Sequence, residues 1–249
     1  MKKITFKTLA LICITLGIST FASSKEKAHW DYKGAQGPEK WGSLNHEWQA
    51  CADGSKQSPI DLKWKKPKSD RTISFHYKSS PFKVLDNGHT VQANFMEGNY
   101  VKIKGQRFDL LQLHFHAHSE HSIGKKFYPL EMHLVHKNAE GKLAVVGVMF
   151  QEGAENHELE KIFAHVPSKQ NHEKAVETNL DFNGLVPSVK THYHYMGSLT
   201  TPPCSEGVNW NVFNTAVSAS AKQLAAFKKM YSANYRPIQN LNGRLPANY

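Results

Sequence analysis

Cysteine is scarce in this sequence, and its scarcity limits the metal sites that the chain can build. The 249 residues contain three cysteines, at positions 13, 51 and 204, and no Cys-x-x-Cys pair. Structural zinc sites are closed by four protein ligands, usually including cysteine. A closed zinc site is therefore excluded, and a metal site must be built from other side chains.

Long apolar runs are also missing, except near the N-terminus. Residues 9–18 form an apolar run that follows three lysines and precedes the small residues 22–24. This order is typical of a secretory signal peptide, and the run is shorter than the roughly 20 residues that cross a bilayer. We predict a signal peptide over residues 1–24 and one domain over residues 25–249. The protein should be periplasmic or secreted, without membrane insertion.

Acidic residues are fewer than basic ones, and the formal net charge is +10 with histidines neutral. The lysines and arginines are scattered and accompany no nucleic-acid recognition motif, so we expect no nucleic-acid partner. A basic, solvated surface can still attract small anions or an anionic cell surface weakly. No His-Glu-x-x-His motif is present, which disfavours a zinc hydrolase that uses a carboxylate base beside its metal.

Histidine, by contrast, is abundant, and six of the fifteen histidines lie in residues 111–136. Side chains alternate between the two faces of a strand. One face of the first run then carries Gln112, His114, His116 and His118, and the other carries Leu111, Leu113, Phe115 and Ala117. In the second run Glu131, His133 and Val135 share a face, opposite Leu130, Met132, Leu134 and His136. We expect two adjacent antiparallel strands.

The spacing of three of these histidines suits a catalytic metal. Alternate residues of a strand lie roughly 7 Å apart and neighbouring strands about 4.8 Å apart, so His114, His116 and His133 can converge on one ion. Three neutral imidazoles with an open fourth position are typical of catalytic zinc. Gln112 and Glu131 each precede a histidine by two residues on the same face, where they can accept its other ring N–H.

Other histidines in the chain test this interpretation. His192 and His194 have the same spacing, but no Gln or Glu on their face and no third histidine nearby in phase. We interpret that pair as structural. His118 and His121 are alternative ligands, although His118 lies one step too far along the strand to share the ion.

The remaining pattern indicates a mostly β fold with a few helices. Turns such as Asp86-Asn87-Gly88 separate short strand signals. Predicted strands cover residues 72–77, 82–85, 90–95, 100–103, 107–117, 130–136 and 143–150. Predicted helices cover residues 157–164 and 220–231, the second opening with a capping pattern at Ser220 and Gln223. Residues 30–67 are expected to form an irregular, ordered wrapping segment.

Residues 28–249 resemble an α-class carbonic anhydrase of the bacterial, exported kind. The motifs are QSPI at 57–60, NGH at 87–89, HFH and SEH within 114–121, LEMHLVH at 130–136, and GSLTTPPCSEGVNW at 197–210. The chain departs from the pattern at His118, where relatives tend to have proline, and at Gln92, where many have asparagine. The resemblance implies a large, twisted, mainly antiparallel sheet of about ten strands.

The resemblance also implies roles for particular residues. Zinc held by His114, His116 and His133 would hydrate carbon dioxide reversibly to bicarbonate and a proton, through attack of zinc-bound hydroxide, with Glu120 and Thr200 orienting that hydroxide. His89 would export the proton. The substrate pocket would comprise Val135, Val145, Leu199, Thr200, Thr201, Val208 and Trp210. After export Cys51 and Cys204 are the remaining cysteines, and both match the family's disulfide positions.

Two other classes of protein fit the sequence less well. A catalytically silent binding module on the same fold would be expected to lack a zinc histidine, and all three are present. A different zinc hydrolase would want a carboxylate base at the metal, and no motif supplies one.

Overall fold

The computed structural model describes residues 28–63 and 73–249, and it consists mainly of β-strands. The predicted signal peptide lies outside these residues. The strands are β1 Asp61–Leu62, β2 Ile73–His76, β3 Ser80–Asp86, β4 Val91–Phe95, β5 Tyr100–Ile103, β6 Gln106–His116, β7 Ser122–Ile123, β8 Leu130–Lys137, β9 Leu143–Glu152, β10 Glu173–Leu180, β11 His192–Ser198, β12 Glu206–Phe213, β13 Val217–Ala219 and β14 Ala247–Asn248. The α-helices are α1 Trp41–Leu44, α2 Ala50–Asp53, α3 His157–Phe163 and α4 Ala221–Met230.

In the described part of the chain, twelve strands form one large sheet. Its main path runs β10-β3-β4-β6-β8-β9-β12-β11-β14, while β2 and β5 attach through β6 and β13 pairs with β9. Most neighbours are antiparallel, but β9 pairs in parallel with both β12 and β13. The predicted fold class is confirmed, with a mixed sheet of twelve strands where about ten, mainly antiparallel, were expected.

Most of the elements predicted from alternation lie where they were expected. The strand over 100–103 agrees at both ends, and those over 107–117, 130–136 and 143–150 differ from β6, β8 and β9 by up to two residues. The predicted helices differ from α3 by one residue at the C-terminal end and from α4 by one residue at each end. Strands β10 to β14 were not predicted, and β11 and β12 include both ends of the motif at 197–210.

Strands β6, β8 and β9 separate an apolar core from a polar site. Leu113, Phe115, Met132 and Leu134 are fully buried on the core face. Fully burying such a side chain contributes roughly 1.5–3 kcal/mol. The alternation shifts at a register irregularity between Leu110 and Gln112. Leu111 was expected to face the core and is instead 38% exposed, because the extra residue at the irregularity leaves the ladder.

Helices α3 and α4 share the core with this face of the sheet. Ser220 and Gln223 form the predicted capping box at the start of α4. Gln223 also bonds both backbone groups of Asn156, and the Asn156 side chain caps α3 by accepting from the backbone N–H groups of Glu158 and Leu159. One buried glutamine therefore joins the N-termini of both helices and satisfies donors that a helix leaves free.

The N-terminal wrapping segment was expected to be irregular, and its described part contains the short helices α1 and α2. A disulfide joins Cys51 to Cys204, with their Cα atoms 5.1 Å apart and a sequence separation of 153. The predicted pairing is confirmed. Both cysteines pack with Trp41 in a small separate core, so the bridge ties the wrapping segment to the turn after β11.

Candidate metal centre and active-site cavity

Three histidines converge on the face of β6 and β8 that is turned away from the core. His114 lies directly opposite His133 in the register, and His116 follows on the same face of β6. The ring centroids are 5.0 Å apart for His114 and His116, 5.2 Å for His114 and His133, and 4.6 Å for His116 and His133. The three rings offer one nitrogen each within 4.8 Å of one another. The alternation therefore predicted this convergence.

A hydrogen bond from the other nitrogen fixes the orientation of each ring. His114 Nδ1 donates to Gln112 Oε1 at 2.9 Å, and His133 Nε2 donates to Glu131 Oε1 at 2.8 Å. His116 Nδ1 donates to the carbonyl oxygen of Asn234 at 2.7 Å. Because every partner is an acceptor, the lone pairs lie on His114 Nε2, His116 Nε2 and His133 Nδ1.

These lone pairs fit a zinc ion. His116 Nε2 is buried and has no hydrogen-bond partner. Burial lowers the pKa of His116 and holds the pKa of His114 well below its usual range, which keeps the imidazoles neutral as metal binding requires. Three converging neutral imidazoles are the ligand set of open catalytic zinc sites. The geometry offers a reason for a buried, unpartnered nitrogen that would otherwise be costly.

Glu131 holds two segments of the site together. Its Oε1 accepts from His133 Nε2 and from His121 Nδ1, and its Oε2 accepts from the backbone N–H groups of Glu120 and His121. Burial by itself raises the pKa of Glu131, but its electrostatic interactions and hydrogen bonds with His121 and His133 outweigh it, so the pKa lies well below its usual range. His121, Glu131 and His133 also cluster closely, but their facing atoms are already hydrogen-bonded to one another. His121 is thus a hydrogen-bond partner and not a metal ligand.

Glu120 is fully buried beside the three histidines. Its Oε1 accepts from the backbone N–H of Arg236 at 2.8 Å. Its Oε2 lies 3.5 Å from His116 Nε2 and 3.9 Å from His133 Nδ1, and it has no hydrogen-bond partner. Among the described residues no hydrogen bond joins Glu120 to Thr200. The carboxylate therefore offers one free acceptor toward the centre of the site.

Thr200 lies in the short turn between β11 and β12, and its side chain is buried. Two features fix the approach to this turn. A Cβ at Gly197 would meet Ser58 Oγ at 2.2 Å, so only glycine fits there. The backbone N–H of Ser198 donates to Ser58 Oγ at 3.0 Å. The disulfide at Cys204 holds the far side of the turn.

An apolar cluster lies next to the three histidines. Val145, Val208 and Trp210 are buried in it, and Val135 and Leu199 pack against it. The Trp210 ring lies 4.8 Å from the His133 ring. The five apolar residues predicted for the substrate pocket are thus brought together at the metal side of the sheet.

A cavity of about 170 Å³ adjoins two of the three histidines. His114 and His116 line it together with His89, Gln92, Gln112 and the predicted substrate residue Thr201. The His89 ring stacks on Trp30 with centroids 3.8 Å apart. Burial lowers the pKa of His89, with the charge of Asp31 opposing this. His89 therefore lines the same cavity as His114 and His116.

The other histidines considered in the sequence, His118, His192 and His194, have partners other than the three converging histidines. His118 follows the end of β6, where its ring stacks on Tyr235 at 3.9 Å and its Nδ1 bonds the carbonyl oxygen of Ser119. The pair in β11 bonds backbone carbonyls, with His192 Nδ1 on Lys190 and His194 Nδ1 on Trp210.

Sequence reasoning missed several residues that shape the site. Asn234 orients His116, Arg236 holds Glu120 through its backbone, and Trp30 stacks on His89. Tyr195 was also missed, although its hydroxyl bonds His121 Nε2 at 2.6 Å. Asn234 and Arg236 come from a segment without regular structure, so no periodicity signals them. Tyr195 alternates in phase with Tyr193 and Gly197 in β11, which is a usable signal.

Comparisons with known proteins agree with this geometry. A family model described as eukaryotic-type carbonic anhydrase matches residues 36–245. A carbonic anhydrase from Klebsiella pneumoniae is 42% identical over 248 residues, covering 98% of this chain and 99% of that protein. A carbonic anhydrase from Pectobacterium carotovorum is 40% identical over 235 residues, covering 94% and 96%. The structure of an alpha-carbonic anhydrase from Thermovibrio ammonificans, in complex with sulfanilamide, matches with a TM-score of 0.84 and 41% identity over 90% of this chain and 99% of that one.

Proposed function

The chain belongs to the eukaryotic-type, or alpha, carbonic anhydrase family, and on that premise we propose that it uses zinc to hydrate carbon dioxide reversibly to bicarbonate. The observation that carries the proposal is the convergence of three oriented imidazole lone pairs on one point. His114 Nε2, His116 Nε2 and His133 Nδ1 would hold the ion. When bound, zinc supplies a Lewis acid that makes water ionise near neutral pH, as is established for carbonic anhydrases in general.

Glu120 and Thr200 would orient the attacking oxygen. A hydroxyl has one proton to donate and two lone pairs. If Thr200 donates to the free Oε2 of Glu120, its oxygen can then only accept, which selects one orientation for the nucleophile. The backbone N–H of Thr200 would contact a substrate oxygen.

The apolar cluster would hold carbon dioxide beside the metal. Carbon dioxide is small and apolar, so it partitions to hydrophobic walls and not to the polar wall around Gln92. Val135, Val145, Leu199, Val208 and Trp210 supply these walls within reach of the His133 ring. Thr201 lines the cavity beside His114 and His116.

His89 would carry the product proton from the site to solvent. Its pKa, though lowered by burial, starts from a value near neutral pH, which suits a group that must both take up and release protons. It shares the cavity wall with two of the zinc histidines.

We also propose that the protein acts outside the cytoplasm. The sequence of residues 1–24 is typical of a signal peptide, and disulfides such as Cys51–Cys204 persist in oxidising compartments. Among the residues that the structure describes, no helix is long and apolar enough to cross a membrane.

The proposed function is tested by stopped-flow carbon dioxide hydration on protein of measured zinc content. Activity should rise in proportion to bound zinc, disappear when a chelator strips the metal, and return when zinc is restored. Full activity in metal-free protein would overturn the mechanism, and a zinc-loaded protein without hydration activity would favour the silent binding module.

A further inference from the structure

A chain of hydrogen bonds runs from the turn that carries His89 to the surface of the sheet. Asn87 Nδ2 donates to Gln92 Oε1 at 3.2 Å, and Gln92 Nε2 donates to Asn94 Oδ1 at 2.6 Å. Asn94 Nδ2 donates to Glu173 Oε1 at 2.6 Å, and Glu173 Oε2 pairs with Lys83 Nζ at 3.2 Å. The chain crosses from β4 to the edge strand β10, where Glu173 is exposed to solvent.

At its surface end, this chain of hydrogen bonds can have only one donor-to-acceptor direction. Hydrogen bonds from Asn94 and Lys83 lower the pKa of Glu173, so its carboxylate is ionised at neutral pH and can only accept. Asn94 must therefore present its amide nitrogen to Glu173 and its oxygen to Gln92. Gln92 must in turn present nitrogen to Asn94 and oxygen to Asn87.

At the turn that carries His89, the chain of hydrogen bonds requires the same donor-to-acceptor direction. Asn87 Oδ1 accepts from the backbone N–H groups of His89 and Thr90, at 3.0 and 2.9 Å. Backbone N–H groups can only donate, so Asn87 must turn its oxygen toward the turn and its nitrogen toward Gln92. One orientation of each amide satisfies both ends, and the carboxylate at the surface selects the same orientation as the backbone at the turn.

We propose that Glu173 is a positioning residue for proton transfer, because through Asn94 and Gln92 it fixes Asn87 and the turn that carries His89. The proposal rests on the proposed function of His89 as proton carrier. Gln92 lines the cavity directly opposite His114 in the register, so the same chain also fixes which amide atoms Gln92 presents there. Glu173 itself touches neither the metal histidines nor the cavity.

The experiment compares two charge reversals on β10. Glu173→Lys puts a donor where the chain needs an acceptor, so the two ends demand opposite amide orientations. Glu177→Lys is the matched control, because Glu177 is exposed on the same strand and the change in net charge is identical. Glu173→Asp keeps the acceptor and should restore the wild-type behaviour.

We expect kcat of Glu173→Lys in weak buffer to fall about fivefold. This is the change in the population of the correctly oriented turn that corresponds to the net free energy of one hydrogen bond. The ratio kcat/KM, which reports the carbon dioxide step, should stay unchanged, and added imidazole should restore kcat. Zinc content and Tm should match those of Glu177→Lys. The backbone N–H groups of His89 and Thr90 should exchange with solvent faster in Glu173→Lys only.

Several results would overturn the proposal. Equal kcat in Glu173→Lys and Glu177→Lys, a parallel loss of kcat and kcat/KM, no rescue by imidazole, or unchanged amide exchange at His89 would each contradict it while leaving the proposed function intact. A zinc-loaded wild-type protein without hydration activity would instead overturn the proposed function, and this proposal with it.

Discussion

Two histidine pairs with the same His-x-His spacing have different surroundings in this molecule. His114 and His116 in β6 face a third histidine across the strand pair, and their outer nitrogens bond Gln112 and a distant carbonyl. His192 and His194 in β11 lie opposite Phe213 and Asn211. Both pairs sit in regular strands, so the backbone does not distinguish them.

The two histidine pairs differ in which ring nitrogens their neighbours leave free. In β6 the hydrogen bonds turn each remaining lone pair toward the same point, and His116 Nε2 stays without a partner there. In β11 both Nδ1 atoms bond backbone carbonyls, and both rings pack toward Tyr249 instead of toward a third ligand. A metal site therefore depends on the cross-strand partner and the outer acceptors more than on the spacing itself.

The largest expected effect comes from removing one histidine of each pair. His116→Ala should lose nearly all zinc and reduce hydration to the uncatalysed rate, because two imidazoles cannot hold the ion as three do. His194→Ala, the matched control, should keep a full equivalent of zinc and its activity. Metal analysis and stopped-flow hydration measure both. Zinc retained by the first variant and lost by the second would reverse the assignment of the two pairs.

Strand β11 should contribute to catalysis through Thr200, in the turn that follows it, and not through His192 and His194. Thr200→Ala should keep zinc and lower kcat/KM about 10²-fold, the size expected for losing one preorganised hydrogen-bonding group. The cause is the lost hydroxyl that would orient the nucleophile against Glu120. Hydration kinetics at matched zinc content measure it, and a rate equal to that of His194→Ala would remove the orienting role.

The outer acceptors that distinguish the pairs can be weakened directly. Glu131→Gln should reduce zinc affinity by about 10- to 100-fold, because an amide is a weaker acceptor for His133 Nε2 than a carboxylate and places an N–H against another donor. Competition with a chelator measures the affinity. Glu177→Gln on the surface is the control, and equal affinities in the two variants would show that the carboxylate is dispensable.

A histidine outside both pairs should affect turnover without affecting metal binding. His89→Ala should lower kcat in weak buffer about tenfold, less than the roughly 10²–10⁴ of direct general acid–base catalysis, because water and buffer also carry protons. The ratio kcat/KM should stay nearly constant, and imidazole should restore kcat. An equal loss in both parameters without rescue would mean that His89 has a structural role instead.

The smallest expected effect concerns the contribution of His192 to the stability of the folded protein at acid pH. Burial lowers the pKa of His192, so below about pH 6.5 the unfolded chain binds more protons there than the folded chain, and stability falls with falling pH. His192→Gln should therefore lose less stability than the wild type between pH 7 and pH 5. Thermal unfolding across that range measures the slopes, and parallel slopes would contradict the expectation.

Strand alternation predicted the histidines at the centre of the site but not the surrounding residues that position them. The three converging histidines and their acceptors Gln112 and Glu131 lie in long strands with one buried face, so a period of two reveals their common side. Strand β10 was missed because most of its side chains are exposed at the sheet edge, which leaves no apolar alternation. Asn234 acts through a backbone carbonyl in an irregular segment, and such a contact depends on chain path and not on residue type.

The register of β6 against β8 has a consequence for the order in which the protein folds. The three histidines come from two consecutive long strands within 20 residues, whereas Asn234, which orients His116, lies 118 residues from it in sequence. Closing a short loop loses less chain entropy than closing a long one, and contacts between distant residues form more slowly. The three histidines can therefore meet while the C-terminal segment is still unfolded, and if they hold zinc as proposed, an ion bound at that stage would bias the rest of the chain toward its native pairing.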